Sequence, residues 1–212
     1  MRFMIVLVCA IAAATTAIQS QLSTAELENA IRTGSAMVAS DIGVRINEGN
    51  PFSVWTKMQF GLTLQTPITW VQYLSSRAAF DGRPMNVGDI SEDDRTQYLR
   101  VFVRPAFLIR QVALITPDGG QPLQAKTVRP CRHFISFSAF GMDGMDRNCT
   151  EYLFDWPGVL SRTDNGQREF DLAVTAITQT AGLTGATREV RKSYRIKRSQ
   201  LNRLVWKTNG GS

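Results

Sequence analysis

The sequence predicts an α+β fold, mainly β, in which N-terminal helices pack on a C-terminal antiparallel β-sandwich of about six or seven strands. Three observations carry this. Residues 23–97 hold two helix-start signals, each followed by apolar residues at helical spacing. From residue 98 onward the apolar period changes to two, and clusters of Pro, Gly, Asp and Asn separate the runs. No strand-like run in that half alternates with a long helix, which argues against a doubly wound parallel sheet. With 43% hydrophobic and 20% charged residues among 212, the composition is that of a globular protein with enough chain to bury a core.

Before the first helix comes a leading segment. Met1-Arg2 is followed by an uncharged apolar stretch that ends in small residues around Ala17. A basic start, an apolar middle and a small-residue end are the parts of a secretory signal peptide, so residues 1–20 are expected to be removed on export. The apolar stretch of about 16 residues is short of the roughly 20 needed to span a bilayer. Lipidation at Cys9 is disfavoured because Val8 is bulky where a small residue is required. The expected location is secreted or periplasmic, with no transmembrane segment after cleavage.

Ser23-Thr24-Ala25-Glu26 has the form of a capping box, and Leu27, Ala30 and Ile31 continue it as an amphipathic helix that Gly34 ends or bends. Residues 43–51 carry Gly, Asn and Pro and read as a turn-rich connection. In residues 52–66 the apolar side chains share one parity, predicting a strand with one buried face. Thr66-Pro67 starts a second helix carrying Trp70, Val71 and Leu74, which stops near Asp81-Gly82. Asp89, Glu92, Asp93 and Asp94 suit the positive end of a short helix dipole. Such a cluster could instead hold a divalent cation, but adjacent acids on a short helix point in different directions.

Residues 98–103, 110–116, 134–140, 151–156, 170–180 and 188–197 read as strands. Turns at 116–120, 163–166 and 182–185 separate them. The segments 21–97 and 98–212 are expected to share one core, because the first is short and rich in apolar residues.

Export would leave two cysteines, Cys131 and Cys149, in an oxidising compartment, where they can form one disulfide. The formal net charge of +6 is concentrated near the C-terminal end, where residues 188–207 hold eight basic residues and one acid. On the strand reading, Val190, Tyr194 and Ile196 share one face, while Arg191, Arg195 and Lys197 form a candidate anion-binding row on the other. The same charges would also protect an exposed edge strand from pairing with other chains.

Catalytic constellations lack members. His133 is the single histidine, so it alone could serve as the base of a Ser-His-Asp or Cys-His arrangement, and no Gly-x-Ser-x-Gly elbow accompanies it. Zinc catalysis needs more imidazoles or free thiolates than the chain offers. The loop with Asp143, Asp146, Asn148 and Glu151 gathers oxygens without EF-hand spacing. No phosphate-binding glycine loop is present, so no cofactor and no metal is expected. The function expected is an exported, non-catalytic binding or structural module acting on an unidentified protein or envelope component. The alternatives are binding of a polyanion by the basic C-terminal segment, without specific nucleic acid recognition, and a secreted hydrolase using His133 or a carboxylate pair.

Overall fold

In the computed structural model of this protein, residues 21–49, 59–104, 109–132, 148–179 and 187–206 are described. The predicted leader at 1–20, the strand at 134–140, the turn at 182–185 and His133 lie outside them.

Helix α1 (Thr24–Ser35) begins as its sequence dictates. The Ser23 hydroxyl accepts from the Glu26 N–H at 3.3 Å, and the Glu26 carboxylate accepts from the Ser23 N–H at 2.8 Å. Helix α2 (Pro67–Phe80) is capped by Thr66, whose hydroxyl accepts from the Thr69 N–H, with Pro67 in the first turn where its missing N–H costs nothing. Gly34 lies one residue before the end of α1, the first of the two expected outcomes. It is where α1 meets the backbone of α2, since a Cβ there would lie 2.5 Å from Cα of Gln72.

Strand β1 (Val44–Gly49) corrects the expectation of a turn-rich connection at 43–51. Val44 and Ile46 pack on the main apolar cluster and alternate with Arg45 and Asn47, a short period-two pattern hidden by the turn residues that follow it. β1 pairs antiparallel with β2 (Gln59–Gln65), in which Phe60, Leu62 and Leu64 are buried on the predicted parity. A four-residue helix α3 (Glu92–Arg95) precedes β3 (Tyr98–Arg104) and β4 (Ile109–Ile115). Short strands β5 (Leu123–Gln124) and β6 (Thr127–Pro130) follow, then β7 (Thr150–Asp155).

Helix α4 (Trp156–Thr163) is a second departure, because the sequence shows only a strand and a turn there. The Asp155 side chain caps its first turn, and it ends in a run of left-handed residues, Asp164, Asn165 and Gly166 at φ 49°, 52° and 82°. The Asp-Asn-Gly signal therefore closes a helix instead of joining two strands directly. β8 (Phe170–Gln179), β9 (Thr187–Ile196) and a short α5 (Arg198–Leu201) complete the chain.

The fold is α+β and mainly β, with two antiparallel sheets among the described residues. One has five strands in the order β1-β2-β3-β7-β6, and the other has four in the order β5-β4-β8-β9. Neither closes into a barrel. The described residues hold nine strands: β1 and β2 of the N-terminal part join β3 and β7 in one sheet instead of standing apart from the predicted six or seven, and β5 and β6 are too short to leave a periodic signal. Leu62, Val101 and Phe154 of the first sheet meet Val112, Leu172 and Ile196 of the second in one apolar cluster. On the opposite face of the first sheet, Trp70, Tyr73 and Leu74 of α2 cluster with Phe102, Ile42, Cys131 and Cys149. Trp70 and Phe102 rings lie 5.3 Å apart. Among the described residues, no helix is long and apolar enough to cross a membrane.

Candidate functional site

Of the predicted anion row, Arg191 and Arg195 lie on β9, the edge strand of its sheet, and Lys197 lies just past its end as the N-cap of α5. Tyr194 and Ile196 are buried, whereas Arg191, Arg195 and Lys197 are exposed. Arg195 is not open to a ligand in the same way as its neighbours. It sits across the ladder from Asp171, with Nε bonded to Oδ1 and Nη2 3.3 Å from Oδ2, and Glu169 lies 3.8 Å away. The Asp171 hydrogen bond raises the Arg195 pKa. On the inward side, Lys192 and the Tyr194 hydroxyl both reach Glu48 of β1, at 2.7 and 2.6 Å, tying the edges of the two sheets together. Burial pushes the Tyr194 phenol up, and the Glu48 hydrogen bond adds to it.

Cys131 and Cys149 stand at disulfide distance, with Cα atoms 5.4 Å apart, and the Cys131 N–H donates to the Cys149 carbonyl at 3.1 Å. Both are buried where β6 leaves β7.

Beside them lies an ionic cluster that the sequence analysis missed. Arg100 projects from the middle of β3 and is 1% exposed. Its Nη1 donates to Glu151 Oε1 at 2.6 Å, and its Nη2 donates to the Asp93 carbonyl at 2.8 Å. Arg129 of β6 bridges the other Glu151 oxygen at 2.7 Å and both Asp93 oxygens at 2.8 and 2.6 Å. Arg132 stands 3.5 Å from Asp93. Asp94 accepts from the Trp70 indole at 2.8 Å and lies 3.7 Å from Arg100. Three carboxylates therefore face three guanidiniums, which explains how charges this deep are tolerated.

The Arg129 hydrogen bonds hold the Asp93 carboxyl below the usual carboxylate range against the opposing effect of burial, and the charges of Arg100 and Arg132 deepen the depression. Asp93 and Asp94 thus serve arginines and an indole more than a helix dipole, since α3 is too short to build one. Glu151, counted from the sequence as an oxygen donor of a cation loop, is committed to the same cluster; Asp143 and Asp146 lie outside the described residues. Among the described residues, no group of three or more His, Cys, Asp or Glu side chains is placed to hold a metal ion. A signal was present in the sequence: an arginine between Leu99 and Val101 in an apolar strand must either be exposed or have partners.

A groove of about 450 Å³ opens between the α1–β1 connection and the last turns of α2. Met37, Val38 and Phe80 form its apolar lips, at 38%, 65% and 86% exposure. Its polar lining is Arg45 from β1, Tyr73, Ser76 and Arg77 from α2, and Ser35 and Ser40 from the connection, and Asp41 acts on Arg45 through its charge. Arg45 Nη2 donates to the Ala39 carbonyl at 2.8 Å, which fixes the guanidinium against the loop. The Ser76 hydroxyl donates to the Met37 carbonyl at 2.6 Å and fastens the apolar lip to α2. Burial pushes the Tyr73 phenol up, while Arg77, Arg45 and Arg104 oppose it through their charges. These residues come from distant parts of the chain, so their meeting leaves no local trace in the sequence. The arrangement offers positive charge, hydroxyls and apolar contact, which is chemistry for binding.

Compared with known proteins, the chain matches no family model, no curated protein and no solved structure.

Proposed function

We propose that this is an exported, non-catalytic binding module whose ligand lodges in the groove between the α1–β1 connection and α2. The observation that carries the proposal is the distribution of exposed apolar side chains. Among the described residues four large ones are exposed, Met37, Val38, Phe80 and Val128, and three of them line this one groove. Clustered exposed apolar groups rimmed by polar ones are characteristic of binding surfaces. The volume of about 450 Å³ falls within the range of small-molecule sites.

The two sheets with their common apolar cluster support a β-sandwich, and the contacts of α2 with Phe102 support helices laid on its five-stranded side. That frame gives the groove rigid walls. The apolar leader at 1–20 and the cysteine pair at disulfide distance support export.

A panel of anionic, neutral and cationic amphipaths, scored by thermal shift, tests the proposal. At least one should stabilise the protein, and the stabilisation should vanish in Val38→Ser/Phe80→Ser, whose exposed side chains can be replaced without disturbing the core. Binding that survives this double substitution, or a panel without any ligand, would refute it.

A second reading, polyanion binding at the C-terminal end of β9, is favoured by the exposure of Arg191, Arg195 and Lys197. It is weakened by the engagement of Arg195 with Asp171. Retention on a heparin matrix that falls steeply with salt, and falls further in Arg191→Gln/Lys197→Gln, would support it; retention independent of salt would remove it.

A further inference from the structure

We infer that the groove takes an alkyl carboxylate, a fatty acid, with its head between Arg45 and Arg77 beside the Tyr73 hydroxyl and its chain along Met37, Val38 and Phe80. This rests on the proposal that the groove is the ligand site and names the chemistry of its occupant.

The head group follows from charge. Arg45 and Arg77 bring two guanidiniums to the lining, and Asp41 beside it acts on Arg45 through its charge. Among the described residues, no carboxylate lies within ion-pair distance of Arg77, in contrast to Arg100, Arg129 and Arg195, each of which has one. Guanidinium presents a planar fork of donors that matches a carboxylate bidentately. The Tyr73 ring borders the same lining.

One effect opposes an anion here. Ser35 ends α1, and Ala79 and Phe80 belong to the last turn of α2, so the negative ends of two helices border the groove. Each such end amounts to about half an elementary charge and fades within a turn. Part of it is already answered, since the Ala36 N–H reaches the Thr33 carbonyl and the Asp81 N–H the Arg77 carbonyl, at 3.3 and 3.1 Å. Asp41 of the connection also acts on Arg45 through its charge, so Arg77 is the cation left to hold the head, with Arg45 beside it in the lining.

The chain follows from the lips. Met37, Val38 and Phe80 are exposed in the free protein, and covering them removes apolar surface from water on both partners. A small inorganic anion would leave them bare, which is why an apolar tail belongs to the ligand.

Calorimetric titration of the protein with decanoate, octanoate, decanol and decylammonium tests the assignment. Affinity should rise about fourfold for each methylene that the groove covers, so that decanoate exceeds octanoate. Decylammonium should bind at least about tenfold more weakly than decanoate, since the same charges that attract the one repel the other. Arg77→Gln should weaken decanoate about tenfold and leave decanol unchanged, a split that misfolding would not produce.

Decanol or decylammonium binding as tightly as decanoate, or Arg77→Gln leaving decanoate unaffected, overturns the carboxylate head while the groove remains the ligand site. An apolar peptide with a free C-terminal carboxylate that binds where decanoate does not overturns the fatty-acid tail. If no amphipath binds, or binding ignores Phe80→Ser, the proposed ligand site itself fails.

Discussion

Replacing Arg100 by Met should destabilise the protein more than any surface change, and the amount follows from what the guanidinium leaves behind. Methionine fills much of the same volume against Trp70, whose ring centroid lies 5.1 Å from the guanidinium carbon, so little packing is lost. The loss is electrostatic. Asp93, Asp94 and Glu151 would share only Arg129 and Arg132, and Glu151, with a side chain 2% exposed, would lose its 2.6 Å partner. Removing one member of a buried pair costs about 3–5 kcal/mol, because the remaining charge stays desolvated. For a domain of this size that corresponds to a fall in Tm of roughly 6–20 °C. Urea denaturation followed by far-UV circular dichroism is the suitable assay, because Trp70 stacks on Arg100 and its fluorescence would report the local change. The double variant Arg100→Met/Glu151→Leu should be less destabilised than the sum of the single changes, by about 1–3 kcal/mol. A single-variant loss below about 1 kcal/mol, or strict additivity in the cycle, would refute the claim that these charges depend on one another.

Acid should weaken the protein through Asp93 and Glu48. Both are held below their ordinary values, Asp93 chiefly by the Arg129 hydrogen bonds and Glu48 by those of Lys192 and Tyr194 acting against burial. A carboxyl with a lowered folded pKa contributes stability that is complete above its unfolded pKa of about 4 and is lost as the pH falls through the folded one. Asp93→Asn should therefore flatten the stability profile below about pH 4, and an unchanged profile would contradict the pairing. Gly34→Ala should cost about 1–3 kcal/mol in urea titration, because the new Cβ would meet the α2 backbone 2.5 Å from Cα of Gln72. Should it instead stabilise by about the 1 kcal/mol that alanine contributes over glycine in a helix, the close crossing of α1 and α2 is wrong. Cys131→Ala/Cys149→Ala should lower stability by about 3 kcal/mol, the loop entropy expected for a sequence separation of 18, and alkylation of both thiols in unreduced wild-type protein would show that no bridge forms.

Much of the secondary structure was legible before any coordinates. The capping box at Ser23, the Thr66-Pro67 start of α2 and the strands at Tyr98, Ile109, Phe170 and Thr187 each announce themselves within a few residues. Local rules failed where the signal was shorter than the period needed to read it. β1 has only two apolar side chains, the buried Val44 and the half-buried Ile46, next to turn residues, and α4 spends its eight residues between a strand and a left-handed cap. Along β9 the exposed Arg191 and Arg195 alternate with the buried Tyr194 and Ile196, because parity along a strand is a property of the chain itself, while Lys197 lies past the strand end. That Arg195 lies opposite Asp171 was not readable, because register is set by pairing.

The sequence by itself determined the α+β class, the helix caps, the alternation of the long strands and the balance of charge. Only the tertiary structure decided which charges meet. Arg100, Arg129, Asp93 and Glu151 come from four separate elements, as do the arginines and apolar lips of the groove from three stretches of chain. The physical reason is range: hydrogen-bonded caps and side-chain periodicity act over a few residues, whereas desolvation and charge pairing depend on what the folded layers bring within a few ångströms, whatever their distance along the chain.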